Sequence, residues 1–261
     1  MRTVLALLTM FAVTPVFAAV VIVAGLLGVP NRPGGLYDRA PRLWARIALR
    51  VAGVRLVLHG DEQLRQFRPR VFVSNHVSWY DIFTLMAILP RYRFVAKAEL
   101  FRIPLFGTAA RRAGTIPIQR ENRKAAFQAY EEAAREIRGG ASVVVCPEGT
   151  RGESYSLRPF KKGPFVLSIA AQAPIVPLVV YGTREVQPRG SFMIRSATVH
   201  VHFLEEIPTT GLNYEDRDRV ADECWRRMAE ALEREHGVVS PLATARRERA
   251  GRANTATLVE S

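Results

Sequence analysis

The N-terminal part of the chain is a long run of apolar positions. Residues 3–29 contain no charged side chain, and about 20 apolar residues are enough for a helix to cross a bilayer. Pro15 would kink such a helix and makes two shorter helices possible. A signal peptide cleaved after Ala18 is the alternative, but the apolar run continues past that point. The pattern therefore predicts a membrane anchor over residues 1–30, which either spans the bilayer or lies in its interface.

An arginine-rich segment follows and predicts a basic amphipathic linker helix over residues 31–56. Residues 31–35 contain the proline and glycines that are typical of a linker. The next residues form an apolar stripe at helical spacing, made of Leu43, Trp44, Ile47, Val51 and Val54. The arginines would face lipid headgroups and keep the following domain on the cytoplasmic side, whereas core packing of the stripe is the alternative. These arginines are Arg32, Arg39, Arg42, Arg46, Arg50 and Arg55.

The remaining chain alternates strand patterns with helical patterns. Strands are predicted at 55–60, 71–73, 142–145, 174–182 and 196–204, with two further short strands near residues 94 and 118. Helices are predicted at 82–89, 122–138, 164–173 and 216–236. The alternation predicts an α/β domain over residues 57–236, with a mixed, mostly parallel sheet flanked by helices. The polar residues 237–261 are predicted to be a disordered tail.

Composition narrows the classes of partner. The chain has 261 residues, of which 48% are hydrophobic, so a substantial core is expected. The formal net charge of +13 indicates an anionic partner, which can be nucleic acid, anionic lipid or a phosphorylated small molecule. Nothing in the sequence resembles a recognition helix or an RNA-binding pair of aromatic residues. Cys146 and Cys224 lack the spacing of metal ligands.

The strand at 71–73 leads into a polar cluster with catalytic potential. Ser74 and Asn75 end the strand and can cap a helix, and His76 and Asp81 follow. Residues five apart on a regular helix point about 140° from each other, so this pair meets only if His76 precedes the helix and Asp81 lies in its first turns. An imidazole held by a carboxylate can take a proton from a hydroxyl group. The alternative is a capping histidine beside an aspartate that the helix dipole favours.

A second polar cluster follows the strand at 142–145 and reads Cys146-Pro147-Glu148-Gly149-Thr150-Arg151. Its proline and glycine predict a turn at the carboxyl end of the strand, where α/β folds place their binding sites. Glu148 could accept a hydrogen bond from a hydroxyl group or orient Arg151. The backbone N–H groups near Gly149 and Thr150 could bind an anion. A turn with an exposed ion pair is the alternative.

Three further histidines lie in predicted strands. His59 is interpreted as structural, because nothing in the sequence pairs with it. His200 and His202 share the polar face of their strand at a spacing compatible with metal binding, but no carboxylate or third ligand is obvious. They are therefore interpreted as solvated strand residues, and no metal site is predicted.

Four sequence blocks, taken in order, resemble the signature of the 1-acyl-sn-glycerol-3-phosphate acyltransferase family within the glycerolipid acyltransferases. They are Asn-His-x-Ser-x-x-Asp at 75–81, an arginine block that ends at Arg120, Pro-Glu-Gly-Thr-Arg at 147–151, and the proline at Pro177. Two positions differ from the family pattern, since Gln119 replaces an Asp or Asn and Cys146 replaces a Phe. The resemblance covers residues 50–210, most of the chain.

The resemblance implies an enzyme with His76 and Asp81 as catalytic residues. His76 would deprotonate the free hydroxyl of a lysophospholipid, 1-acyl-sn-glycerol 3-phosphate, which then attacks the carbonyl carbon of an acyl thioester. The product would be phosphatidic acid, an intermediate of phospholipid biosynthesis. The implied substrate-binding residues are Lys97, Arg120, Glu148, Gly149, Thr150 and Arg151.

The expected partners are the lysophospholipid, the acyl thioester and membrane lipid. Acyl-coenzyme A or an acyl carrier protein would be the co-substrate, and no metal, other cofactor or nucleic acid is expected. The expected location is the cell membrane, with the catalytic domain on the cytoplasmic side. Two alternatives remain: an acyltransferase acting on a different lysolipid, such as a lyso-aminolipid, and a basic membrane-surface protein without catalytic activity.

Overall fold

A seven-stranded sheet forms the centre of the protein. The computed structural model describes residues 1–32, 34–119 and 121–241. The strands are β1 (Arg55–His59), β2 (Val71–Ser74), β3 (Tyr92–Lys97), β4 (Ile116–Ile118), β5 (Ser142–Val145), β6 (Ile175–Tyr181) and β7 (Thr198–Phe203). Their order across the sheet is β1-β7-β6-β2-β5-β3-β4.

The sheet is mixed and mostly parallel, which confirms the prediction. Strands β2 to β6 run parallel to one another. Strand β7 runs antiparallel to β6, and β1 is parallel to β7. The central strands β2 and β5 are buried at every position, because helices cover both faces of the sheet. The carboxyl ends of β2, β5 and β6 therefore meet at the same edge, where the site described below is formed.

Helices pack on both faces of the sheet. They are α1 (Arg2–Leu26), α2 (Leu36–Ala52), α3 (Trp79–Ile88), α4 (Phe106–Arg112), α5 (Arg123–Arg138), α6 (Gly163–Ala171), α7 (Thr183–Val186) and α8 (Arg217–His236). One core lies between the sheet and α2 with α3, and the other lies between the sheet and α5, α6 and α8. The sheet therefore separates two apolar layers.

Helix α1 is continuous through Pro15, so the kink that this proline makes possible does not divide the segment. It is long and apolar enough to cross a membrane by length and composition. Small side chains such as Ala6 and Ala18 are buried against the rest of the protein, whereas Leu8 and Phe11 are exposed. On the buried side the Trp44 indole N–H donates to Thr14 Oγ1 at 3.0 Å, which ties α1 to α2. The helix thus has one face on the domain and one apolar face outside it.

The second helix differs from its prediction in extent and in its buried face. It extends from Leu36 to Ala52, which is shorter than the predicted range of 31–56, and Pro41 lies in its second turn. The buried positions include Ala45, Ala48 and Ala52, and Leu43 of the predicted stripe is 53% exposed. The small alanines allow close packing, and the face they form belongs to the core around α3. The predicted domain boundary at residue 57 falls inside β1, which begins two residues earlier.

The edge strand β1 brings His59 beside two other histidines, which corrects its interpretation as unpaired. His59 is in register with His202 on β7, and its Nε2 lies 3.1 Å from His200 Nδ1. The sequence could not show this contact, because β1 and β7 are separated by most of the domain. The interpretation of His200 and His202 as solvated residues is also wrong for His202, which is 7% exposed.

Candidate active site

The loop between β2 and α3 brings His76 and Asp81 together. His76 precedes the helix, and Asp81 is the third residue of α3. The His76 Nδ1 atom lies 2.9 Å from Asp81 Oδ2, as the sequence argument required. The helix is capped by Ser78 rather than by Ser74 or Asn75, in a capping box in which the Ser78 N–H donates to Asp81 at 2.8 Å. Ser74 is instead the last residue of β2.

Asp81 is completely buried and is surrounded by donors. Its Oδ2 atom accepts hydrogen bonds from the backbone N–H groups of Val77 at 2.6 Å and Ser78 at 2.8 Å, besides its contact with His76. The Thr183 hydroxyl donates to the other oxygen, Oδ1. Both oxygens of the Asp81 carboxyl group accept hydrogen bonds, so these donors fix its orientation. The arrangement holds the imidazole through Nδ1 and leaves Nε2 for a substrate.

The side chain of Asn75 fastens the loop to the neighbouring strand. Its Nδ2 donates to the Val180 carbonyl at 2.9 Å, and its Oδ1 accepts from the Val180 N–H at 2.8 Å. These two bonds resemble the backbone hydrogen bonds that pair neighbouring strands, and they link the residue after β2 to β6. Ser78 adds a third link, because its hydroxyl donates to the Gln187 carbonyl at 2.8 Å. The polar positions of the Asn-His-x-Ser-x-x-Asp block therefore share one task, which is to hold His76 in place.

The turn after β5 supports the same loop from the other side. Glu148 is buried, and its Oε2 accepts a hydrogen bond from the His76 N–H at 3.0 Å. Its Oε1 accepts from the Arg158 N–H at 3.1 Å, and the guanidinium of that residue lies 3.6 Å away. Burial raises the pKa of the Glu148 carboxyl, although these hydrogen bonds oppose the shift. Glu148 thus positions the His76 backbone and pairs with Arg158 rather than with Arg151.

The glycine of this turn has a conformational role. Gly149 has a φ of +82°, which side chains other than glycine rarely adopt. Its N–H donates to the Cys146 carbonyl at 3.2 Å, so this donor is already used within the turn. The Thr150 hydroxyl accepts from Arg158 Nη1 at 3.0 Å. The predicted anion contact at Gly149 therefore lacks a free backbone donor, whereas Thr150 lines the cavity described next.

His76 lines a cavity of about 410 Å³ whose lining is mostly apolar and includes several polar side chains. The polar part includes Lys97, Thr150, Arg151 and Arg189. The apolar part comes from helices α1 to α4 and the segment before α4, and includes Phe17, Val21, Trp44, Met86, Phe101 and Phe106. A larger and more open depression between α5 and α6 contains neither His76 nor Asp81. The cavity at His76 is therefore the candidate active site.

Two arginines line the same cavity as His76. The Arg151 guanidinium stacks 4.7 Å from the centre of the Trp79 ring. Burial and the nearby Arg189 lower the pKa of Arg151. Arg189 Nη1 donates to the Arg151 carbonyl at 2.9 Å, which places a second guanidinium next to Arg151. Two adjacent guanidinium groups are suited to bind phosphate oxygens.

Some of the predicted binding residues line the cavity at His76, and others do not. Lys97 lines the cavity, and its ammonium also lies 3.3 Å from Glu99. Arg120 lies outside the described residues. Sequence reasoning missed Thr183 and Arg189, which follow β6 by a few residues. Their position after the carboxyl end of a central strand is the signal that could have found them.

Comparisons with known proteins match this chain to acyltransferases. The Acyltransferase family model matches residues 55–181. A chloroplastic 1-acyl-sn-glycerol-3-phosphate acyltransferase from Brassica napus is 32% identical over 84% of this chain, which spans 64% of the length of that relative. A 1-acyl-sn-glycerol-3-phosphate acyltransferase from Limnanthes douglasii is 33% identical over 78% of this chain and 75% of its own length.

A solved structure has the same fold. It is the crystal structure of the 1-acyl-sn-glycerophosphate acyltransferase PlsC from Thermotoga maritima, with a TM-score of 0.69 and 21% sequence identity. The similarity covers 88% of this chain and 97% of the solved chain. It therefore extends beyond the catalytic domain to the N-terminal helices.

Proposed function

This chain belongs to the 1-acyl-sn-glycerol-3-phosphate acyltransferase family, and we propose that it acylates the free hydroxyl of 1-acyl-sn-glycerol 3-phosphate to form phosphatidic acid. The observation that carries the proposal is the contact of His76 with Asp81 at 2.9 Å beside a largely apolar cavity that is also lined by Lys97, Arg151 and Arg189. A lysophospholipid has the matching chemistry, since it joins a phosphate to an acyl chain.

In the proposed reaction His76 is the general base. Its Nε2 takes the proton from the acceptor hydroxyl while the oxygen attacks the carbonyl carbon of the thioester. Asp81 orients the imidazole through Nδ1 and stabilises the imidazolium that forms. The carbon–sulfur bond then breaks, and the thiolate leaves and receives the proton from His76. No covalent intermediate with the protein is required, and the reaction uses no metal or other cofactor.

The proposed phosphate site is formed by Arg151 and Arg189, with Lys97 at the same cavity. Arg151 and Arg189 can bind phosphate oxygens through paired N–H groups, and Lys97 adds a point charge. Arg120 remains a predicted ligand from its sequence block. Binding the phosphate at a fixed distance from His76 would orient the hydroxyl for attack, which can supply a large part of the rate enhancement.

Helix α1 supports a membrane-bound enzyme. It carries exposed apolar residues on one side, and Thr14, Phe17 and Val21 line the cavity on the other. Cleavage after Ala18 would remove part of this wall, which favours a retained anchor over a signal peptide. A substrate chain held in the bilayer can enter the cavity from this side. We place the catalytic domain on the cytoplasmic side because of the arginines that follow the helix.

The test is release of free thiol from an acyl thioester by the purified full chain in detergent. Acyl-coenzyme A and acyl carrier protein are offered separately as donors, with and without 1-acyl-sn-glycerol 3-phosphate. Release that requires both the lysolipid and His76, judged with His76→Ala, supports the proposal. A fall in rate of about 10²- to 10⁴-fold is expected when the general base is removed.

Two outcomes would contradict the proposal, one in its substrate and the other as a whole. Thiol release with a lyso-aminolipid but not with the phosphate-bearing acceptor would keep the mechanism and replace the substrate. Folded protein that is silent with every donor and acceptor would contradict the enzyme and leave a basic membrane-surface protein. Circular dichroism of the wild type and His76→Ala ensures that loss of activity is not loss of fold.

A further inference from the structure

Four of the five histidines of the chain lie together, away from His76. The His59 and His202 rings stack with centroids 4.2 Å apart, and His200 Nδ1 is 3.1 Å from His59 Nε2. His236 completes the group, with its Nε2 atom 2.9 Å from His202 Nε2. We call His59, His200, His202 and His236 the histidine cluster.

Three separate elements build the cluster. His59 and His202 are paired across the parallel strands β1 and β7, so their side chains leave the same face of the sheet. His200 is two residues before His202 and shares that face. His236 is the last residue of α8, which covers this face. The cavity at His76 is lined by α1, α2 and α3, which lie on the other side of the sheet.

The nitrogen atoms of the cluster are close to the arrangement of a metal site. Ligand atoms of His59, His200 and His202 lie within 4.8 Å of one another. In a tetrahedral zinc site, nitrogens at about 2.0–2.1 Å from the ion are about 3.4 Å apart. The separations of 2.9 Å and 3.1 Å within the two close pairs are slightly shorter than this. The ligand atoms of His59, His200 and His202 are therefore close enough together for one ion to reach all three after a local adjustment.

One adjustment is required for binding. The His59 and His202 rings are nearly parallel, with an angle of 5°, whereas a metal lies in the plane of each imidazole that binds it. His59 is exposed at the end of β1 and has room to rotate, while His202 is buried beneath it. Rotation of the exposed His59 ring out of the stack would remove this conflict.

The surroundings suit a cation held by neutral ligands. His236 ends α8, and the carboxyl end of a helix carries partial negative charge. Its ring is fixed by stacking on Tyr181, with centroids 3.8 Å apart and an angle of 5°. Imidazole nitrogens favour zinc, copper and nickel over magnesium and calcium, which prefer oxygen ligands.

We propose that His59, His200 and His202 bind a divalent transition metal ion such as zinc, and that His236 supports His202 from the neighbouring helix. The ion would join the edge strand β1 to β7, and His59 and His200 on these strands are 141 positions apart in the sequence. Its role would be to stabilise this corner of the domain, since a ligand that binds only the folded state adds to its stability. The proposal does not depend on the acyltransferase reaction.

The test uses the full chain in detergent, purified with an affinity tag that contains no histidine and stripped with a chelator. Zinc binding is measured by isothermal titration calorimetry and by metal analysis after dialysis. One zinc ion per chain is expected, together with a higher thermal midpoint in zinc than in chelator. Mutation of a residue that only hydrogen-bonds to a metal ligand costs about 10- to 100-fold in metal affinity. Removal of two ligands themselves, in the double variant His59→Gln/His200→Gln, should therefore cost at least about 100-fold.

The matched control is His76→Gln, the same substitution at the histidine outside the cluster, which should bind zinc like the wild type. The double variant replaces the exposed His59 and the half-buried His200, and it leaves His202 and His236 intact. Its circular dichroism in chelator should match the wild type, so that lost binding is not lost fold. No zinc binding by the wild type would overturn the proposal. Binding that survives in the double variant but is lost in His76→Gln would also overturn it and assign the ion to the other cavity.

Discussion

His76 and His202 are the same side chain in opposite surroundings. His76 meets one buried carboxylate, Asp81, at 2.9 Å and lines a largely apolar cavity that Arg151 and Arg189 also line. His202 meets other imidazoles, with His236 Nε2 at 2.9 Å and the His59 ring stacked on it. A carboxylate partner makes an imidazole a better proton acceptor, whereas several imidazoles together make a set of metal ligands. The neighbours, rather than the residue, decide the chemistry.

The largest effect is expected when His76 loses its carboxylate partner, Asp81. Asp81→Asn keeps the shape but places an amide where four donors converge. The histidine then loses the acceptor that sets its tautomer, a change that costs about 10⁴-fold in kcat in a serine protease triad. We expect a loss of similar order in thiol release. Activity within about tenfold of the wild type would show that Asp81 is not required for proton transfer.

The arginines are the second difference, because two of them line the candidate active site, whereas the histidine cluster consists of histidines alone. Arg189→Met removes one guanidinium without a large change in volume. Since a hydrogen bond to a charged group contributes about 1.5–3 kcal/mol, we expect KM for the lysolipid to rise about tenfold or more. The measurement is KM with a donor at saturation.

Arg184→Met is the matched control for that change. Arg184 is also near the end of β6, but its side chain donates to the Glu153 carbonyl at 2.8 Å and does not line the cavity. Its KM should equal that of the wild type. Equal effects of the two substitutions would indicate a general loss of positive charge rather than a phosphate site.

A smaller effect is expected at Thr183, which acts on His76 through Asp81. Thr183→Val removes the hydroxyl that donates to Asp81 and keeps the branched shape. Loss of this hydrogen bond should lower kcat by about tenfold and leave KM unchanged, because Thr183 does not line the cavity. Thr183→Ser, which keeps the donor, should restore most of the rate. A change in KM alone would contradict this positioning role.

The smallest expected effect is on stability, at His202. Burial and the neighbouring histidines lower the pKa of His202 from 6.5 to about 4. Between these values the unfolded state binds more protons than the folded state, so the free energy of unfolding decreases as the pH falls from 6.5 towards 4. The stability that uncharged His202 contributes is present in full above pH 6.5, its pKa in the unfolded state. It is lost as the pH falls towards 4, its pKa in the folded state.

His202→Gln should therefore flatten the pH dependence of stability. We expect the difference in free energy of unfolding between neutral and mildly acidic solution to shrink by about 1 kcal/mol, allowing for solvent screening. The measurement is urea unfolding in the presence of chelator, so that no metal ion contributes. Burial also lowers the pKa values of His200 and His236, so part of the dependence should remain. An unchanged slope in the variant would contradict the assignment to His202.

Local pattern was sufficient for much of the fold. The strand at 142–145 was predicted with the same bounds, and α8 begins one residue after its predicted start. Long runs of one periodicity carry this information within a few residues. The buried face of α2 was predicted less well, because small alanines pack closely and leave larger side chains such as Leu43 outside. Hydrophobicity alone does not reveal which face a neighbouring helix can approach.

The sequence by itself determined the parts of the site that lie close together along the chain. His76 and Asp81 are five residues apart, so a strand end, a cap and a first helical turn are enough to bring them into contact. The turn with Gly149 is likewise local. Such contacts follow from backbone geometry and side-chain capping, which act over a few residues.

Tertiary structure decided the contacts between distant residues. Thr183 meets Asp81 across 102 positions, and His59 meets His200 across 141. These pairs depend on the order of the strands, which places β6 beside β2 and β7 beside β1. The pattern of each strand shows that it is buried, but a buried strand can pair with several others. Only the assembled sheet selects its neighbours, and with them the donor at Asp81 and the members of the histidine cluster.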